Sequence, residues 1–226
     1  MGHTTLSQRL VAELIGAAFL LAAVVGSGIM AERLAGGNQA LALLCNALAT
    51  GAVLTVLIAM LADVSGAHFN PAVTLVMRLR GEIASHEAIF YVAAQIAGAV
   101  VGVIAAHAMF EELPFQVSQT ARSGAALWFA EGVATFGLVL TILLTKRSRP
   151  EMVPVSVGLY IVSAYWFTAS TSFANPAVTL ARALTHTFTG IRPGDVAPFV
   201  AAQLVAAVVA LGVARVLETR RPAPEG

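Results

Sequence analysis

Two copies of one hexapeptide, NPAVTL, begin at Asn70 and at Asn175, 105 positions apart in a chain of 226 residues. Asparagine is a strong helix N-cap, and proline suits the first helical position, where its missing N–H would have no partner. Each copy therefore predicts a helix start, with Asn70-Pro71-Ala72 and Asn175-Pro176-Ala177 at the two tips. If each asparagine caps its own helix through the side-chain carbonyl, its amide N–H groups remain as donors. A helix start also carries roughly half a positive charge. Two such tips meeting would form a site without formal charge that repels cations and offers donors to a neutral oxygen-bearing solute.

Two acidic residues, Glu13 and Glu131, fall inside long apolar runs. Carboxylates are costly there and need partners. The expectation is that they accept hydrogen bonds from backbone N–H groups of the segments leading into the two NPA tips; the alternative is a proton relay. His68 is expected to support its loop. The carbonyls of Gly66, Ala67 and His68, and of Thr171, Ser172 and Phe173, then predict a ladder of acceptors on either side of the centre.

The elements that must position these residues are membrane spans. The chain is 58% hydrophobic, 11% charged, and has a mean hydropathy of +0.82, far from a soluble domain. Six apolar runs, 10–30, 40–62, 87–109, 125–145, 153–173 and 196–216, are each about twenty residues long, the length that crosses ~30 Å of hydrocarbon. The first lies too far in, and is too long, for a cleaved signal peptide. With an even span count and both termini cytoplasmic, nine of the thirteen Lys and Arg residues fall on the termini side, Arg220 and Arg221 among them. A basic nucleic-acid surface is absent.

The repeat extends beyond NPAVTL: Ala12-Glu13 is answered by Ala130-Glu131, and VAAQ ending at Gln95 by VAAQ ending at Gln203. Each half holds three spans and one motif. An odd number inverts the second half, so residues 1–226 are expected to form one domain of inverted repeats, about 1–115 and 120–226, meeting at mid-membrane. From Pro71 to Arg80 only ~15 Å of helix is possible, and the second helix is expected from Pro176 to about Thr187. The preceding Val64–Phe69 and Ser170–Ala174 would dip in as extended chain. The fold class is thus an all-α membrane protein with six transmembrane helices plus two re-entrant half-helices. Cys45 is expected in the packed interior. His86, His107 and the pair Glu111-Glu112 fall near span ends, as exposed loop groups.

These residues resemble the aquaporin and aquaglyceroporin family (major intrinsic proteins) over essentially the whole chain. The resemblance rests on Ala12-Glu13, the run from Ser65 to Thr74, Ala94-Gln95, Glu131-Gly132 and Asn175-Pro176-Ala177. It implies a pore in each protomer, a homotetramer, and passage of water and small neutral solutes across an inner membrane. It also implies a second filter, matched by counting to Thr50, Ser163, Ser172 and Val178. Val178 stands where the family usually carries arginine, and no bulky aromatic falls at the counted positions. That implies a wide, mildly amphipathic filter, similar to divergent bacterial aquaglyceroporins associated with arsenic resistance, with metalloid acids or methylated arsenicals as candidate solutes. Arg182, one helical turn beyond Val178, is expected on the flank at the membrane surface; the alternative is that it leans toward the pore mouth. A water-selective channel, a secondary transporter and a junctional protein are the rival readings. No nucleophile with a base, metal-ligand spacing or phosphate loop points to an enzyme or a cofactor.

Overall fold

The computed structural model describes residues 4–218, so Arg220 and Arg221 lie outside the described residues. Eight helices follow one another: α1 Leu6–Leu34, α2 Gln39–Ser65, α3 Pro71–Leu79, α4 Ser85–Met109, α5 Ala125–Ser148, α6 Val153–Phe167, α7 Pro176–Ala181 and α8 Pro193–Glu218. Five of them (α1, α2, α4, α5 and α8) are long and apolar enough to cross a membrane. At 15 residues α6 is shorter, ~22 Å. A 3₁₀ turn over Pro150–Met152 leads into it and brings the combined rod close to a bilayer's thickness. The expected fifth span, 153–173, therefore ends six residues early, at Phe167. The segment after it is irregular chain leading to the second NPA.

Helices α1, α2 and α4 pack together, as do α5, α6 and α8, and α2 lies against α6 where the two groups meet. Small residues permit the closest approaches. A Cβ on Gly102 would sit 2.2 Å from the Ala18 carbonyl oxygen, and one on Gly98 2.2 Å from that of Leu14. These two glycines thus serve packing of α4 on α1 within the chain. Gly51 and Gly158 do the same between α2 and α6, each Cβ meeting the other's carbonyl oxygen at 2.7 and 2.6 Å.

The two half-helices leave a common centre in opposite directions. Beyond α3, Arg80 pairs with Glu218 at the end of α8 at 3.0 Å, and Arg215 donates to the Leu79 carbonyl at 3.0 Å. Beyond α7, the Leu184 and Ala183 carbonyls accept from Gln116 and Ser118 of the α4–α5 connection, both at 3.1 Å. The first end lies on the side of the chain's ends and the other on the far side. Cys45 is exposed rather than interior, because it falls on the outward stripe of α2. His107 is also not an exposed loop group. It is fully buried in α4, with Nδ1 3.0 Å from the Pro114 carbonyl and Nε2 2.8 Å from Thr185 Oγ1.

Candidate functional site

At the centre Asn70 Oδ1 accepts from Ala72 N at 2.9 Å, and Asn175 Oδ1 from Ala177 N at 3.0 Å and Val178 N at 3.3 Å. The amide nitrogens cross over. Asn70 Nδ2 donates to the Ala174 carbonyl and Asn175 Nδ2 to the Phe69 carbonyl, both at 2.8 Å. Each asparagine caps its own helix and also ties the opposite loop, which spends one of its two amide N–H groups.

The loops that deliver the asparagines are strained in matching places. Ala67 and Phe69 in the first, and Thr171, Ser172 and Ala174 in the second, have φ between 47° and 63°. For non-glycine residues that region costs on the order of 1–3 kcal/mol each and needs its surroundings to hold it. Two buried carboxylates supply the hold. Glu13 accepts from His68 N at 2.9 Å, Phe69 N at 2.7 Å and Ser65 Oγ at 2.7 Å. Glu131 accepts from Phe173 N at 2.8 Å and Ala174 N at 2.9 Å.

Behind each carboxylate stands the glutamine of the VAAQ repeat. Gln95 Nε2 bridges Glu13 at 2.7 Å and Thr74 Oγ1 at 2.9 Å; Gln203 Nε2 bridges Glu131 at 2.6 Å and Thr179 Oγ1 at 2.9 Å. The threonines of the two NPAVTL copies thereby lock each half-helix to its loop. Their identity at the same place in both hexapeptides was the available signal. His68 joins the first network through Nδ1, 3.1 Å from Thr74 Oγ1.

A cavity of about 590 Å³ runs along this assembly, from Asp63, Lys146 and Glu151 on the termini side, past Asn70 and Asn175, to Tyr165 and Arg182. Gly66, Ala67, His68, Ser172 and Phe173 lie on its wall, and Thr171 lines a second space of about 530 Å³ beyond. Among the described residues no hydrogen bond ends on the carbonyls of these six. Of the counted filter positions, Thr50, Ser172 and Val178 line the cavity. Ser172 Oγ is buried there without a partner.

Ser163 does not reach the cavity. It is exposed on the outer side of α6 and donates to its own Tyr160 carbonyl at 2.8 Å. The cavity-facing residues on either side of it are Ile161 and Tyr165, and the Tyr165 hydroxyl donates to Thr50 Oγ1 at 3.3 Å. A two-residue offset on a helix is ~200° of rotation, which carries a side chain to the opposite face.

Arg182 is also displaced from its expected place. Helix α7 ends at Ala181, and a 3₁₀ turn over Arg182–Leu184 replaces the longer helix expected to Thr187. Six residues beyond Pro176, Arg182 is ~9 Å from the helix start, not at the surface. It is 2% exposed. The chain folds back over it, with Ile191 N bonding the Arg182 carbonyl and Arg182 Nε donating to the Thr189 carbonyl.

The sequence profile described as "Major intrinsic protein" matches residues 1–171, ending before the second NPA. The chain is also 56% identical over 223 residues to "Aquaglyceroporin AqpS" of Rhizobium meliloti (strain 1021), covering 98% of this chain and 95% of that one. The chain belongs to the major intrinsic protein family. A plant relative, "Probable aquaporin NIP4-2" of Arabidopsis thaliana, is 30% identical over 204 residues, 86% of this chain and 71% of its own length. In fold, the chain is similar to the X-ray structure of the aquaglyceroporin from Plasmodium falciparum, with a TM-score of 0.76 at 19% identity, covering 95% of this chain and 98% of that one. As a major intrinsic protein it is an integral membrane protein and a passive channel for small solutes, not an enzyme.

Proposed function

We propose that the chain is a single channel domain of two inverted repeats whose conduit is the 590 Å³ cavity, passing glycerol-like polyols and uncharged metalloid acids or methylated arsenicals as well as water. The observation that carries this reading is the crossed pair of asparagine amides, which leaves one N–H on each for a passing oxygen and makes both helix starts converge there. A polyol exchanges water for these donors and for the unpaired carbonyls of the two loops. Its carbon face meets Val178, Ile161 and Leu54. A monovalent cation would lose its hydration against two positive helix ends with no carboxylate at the centre. Glu13 and Glu131 hold the loops in this reading, since their oxygens are already engaged by donors.

The reading extends to a homotetramer in an inner membrane with both termini cytoplasmic. In support of that orientation, Arg80, Lys146, Arg147, Arg149 and Arg215 fall on the termini side of the fold. The deciding experiment follows reswelling of proteoliposomes challenged with glycerol, urea and arsenous acid, for wild type and Val178→Arg. Fast solute-driven reswelling in wild type, lost in Val178→Arg while water flow persists, is the expected result. Fast water flow with no solute entry in either protein would make this a water-selective channel.

A further inference from the structure

Among the described residues, Arg182 is the one that lines both the 590 Å³ cavity and the 530 Å³ space on the far side. It therefore stands at the partition between them. Its guanidinium is fixed there by Nε bonding to the Thr189 carbonyl and by lying 3.3 Å from the centroid of the Phe173 ring. Among the described residues it forms no ion pair, and no hydrogen bond to the protein uses its terminal nitrogens.

A second cation approaches the same ring. Arg122, from the α4–α5 connection, lies 5.0 Å from the Phe173 centroid, donates through Nε to the Gly190 carbonyl at 2.8 Å, and lines the far space. Its side chain also takes part in no ion pair among the described residues. Two arginines thus share one aromatic platform and one supporting loop, at a throat whose cavity side carries Thr50, Tyr165 and the unpartnered Ser172 hydroxyl.

We propose that Arg182, reinforced by Arg122, is the specificity-determining residue of this channel: it supplies the charge that excludes cations and the donors that admit uncharged oxygen-bearing solutes. Val178 leaves its own position neutral, and the charge arrives from one helical turn further along. The inference rests on the channel reading above. A planar guanidinium stacked on a ring presents its free N–H groups edge-on to the passage, which suits paired hydroxyl oxygens. An unpaired charge in a partly dehydrated throat repels cations more strongly than the same charge in water.

The test uses full-length protein in proteoliposomes, with glycerol reswelling and potassium conductance measured on the same preparation. Arg182→Gln is expected to raise potassium conductance at least tenfold over wild type and to change the glycerol-to-urea permeability ratio several-fold. Arg122→Gln is expected to raise conductance by a smaller factor. It also serves as the independent variant should Arg182→Gln fail to fold. Arg182→Lys keeps the charge and loses the stacked plane, so it is expected to exclude potassium while shifting the solute ratio. Arg33→Gln, which breaks an exposed pair with Glu112, is expected to match wild type in both. Unchanged potassium exclusion in the Arg182 and Arg122 glutamine variants, with glycerol still passing, would overturn the proposal. A lysine variant that leaks as much as the glutamine one would overturn it too, since charge would then not be the agent. Wild type that passes no glycerol at all would sink the channel reading beneath it.

Discussion

Tyr165 donates its hydroxyl to Thr50 Oγ1 at 3.3 Å, joining α6 to α2 across the wall of the cavity. The pair places an aromatic ring on the α6 wall of the cavity, where counting along the sequence placed only the small Ser163. Ser163 itself turns outward. The far half of the cavity is therefore narrower on the α6 side than a serine there would make it.

Removing the ring tests this directly. Tyr165→Ala is expected to raise erythritol permeability relative to glycerol by about tenfold, the discrimination that a site of fixed size exerts on one added carbon unit. Ser163→Ala is expected to leave the ratio unchanged. Stopped-flow reswelling with the two polyols measures both, and equal behaviour of the two variants would return the filter to an undetermined position on α6.

The close approach of α4 to α1 yields a prediction about folding. A Cβ at position 102 would stand 2.2 Å from the Ala18 carbonyl oxygen and 2.8 Å from Leu21 Cβ, and backbone cannot yield as a flexible side chain can. Gly102→Val is expected to abolish a monodisperse species on size exclusion in detergent, because overpacking at a helix–helix contact has no relief but separation of the helices. Gly212→Val is the matched control, with nothing within 4 Å of its added carbon. A monodisperse Gly102→Val protein would show that α1 and α4 can part without loss of the fold.

Much of the central geometry was legible in the sequence because it is written twice. NPAVTL fixes its caps through local chemistry, and Glu13, Glu131, Gln95 and Gln203 stand out as polar residues that an apolar run must explain. What was not legible depends on rotation and on where helices stop. Ser163 and Tyr165 differ by two positions in α6, and hydropathy cannot tell which faces the cavity when the helix is apolar on every side. The burial of Arg182 follows from the chain folding back after α7, so that Thr189 and Ile191 bond to it, and no glycine or proline marks the end of that helix. Cys45 is apolar enough for the interior or for lipid, and only the packing of α2 decides. The positive φ angles at Ala67, Phe69, Ser172 and Ala174 carry no glycine signal, because tertiary hydrogen bonds impose them.

On the termini side, Lys146 donates to Glu82 at 2.7 Å, and Arg80 holds the same carboxylate at 2.8 Å and Glu218 at 3.0 Å. Partial burial pushes the Glu82 carboxyl up, but the hydrogen bonds from Lys146 and Arg80 outweigh it and hold it below its ordinary value of 4.5. A carboxyl depressed on folding contributes stability that is fully present above its unfolded value, ~4.3, and fades as the pH falls through the lower folded value. Thermal unfolding in detergent is expected to be insensitive to Glu82→Gln in its slope near neutrality. Below about pH 4 the wild type should lose its advantage over that variant. Because the cluster is partly solvated, the advantage is about 1 kcal/mol or less. A wild-type advantage that persists undiminished to pH 3 would assign the stabilisation to something other than this carboxylate.

Glu131 carries the last prediction because it is fully buried and three donors converge on it: Phe173 N, Ala174 N and Gln203 Nε2. An amide in its place keeps one acceptor oxygen and turns an NH₂ toward a backbone N–H. At least one charge-assisted bond becomes a donor–donor contact, a cost of about 2–3 kcal/mol. The released segment is the one strained at Thr171, Ser172 and Ala174, so it relaxes toward ordinary backbone angles and withdraws the Ala174 carbonyl from Asn70. Glu131→Gln is therefore expected to lower the melting temperature in detergent and to cut glycerol flux at least tenfold, with no new dependence on a proton gradient. Flux that stays high but becomes independent of a gradient that drove it in wild type would instead identify Glu131 as a proton carrier, and the protein as a coupled transporter. The two outcomes separate cleanly, because a holding carboxylate acts through structure and a relay acts through titration.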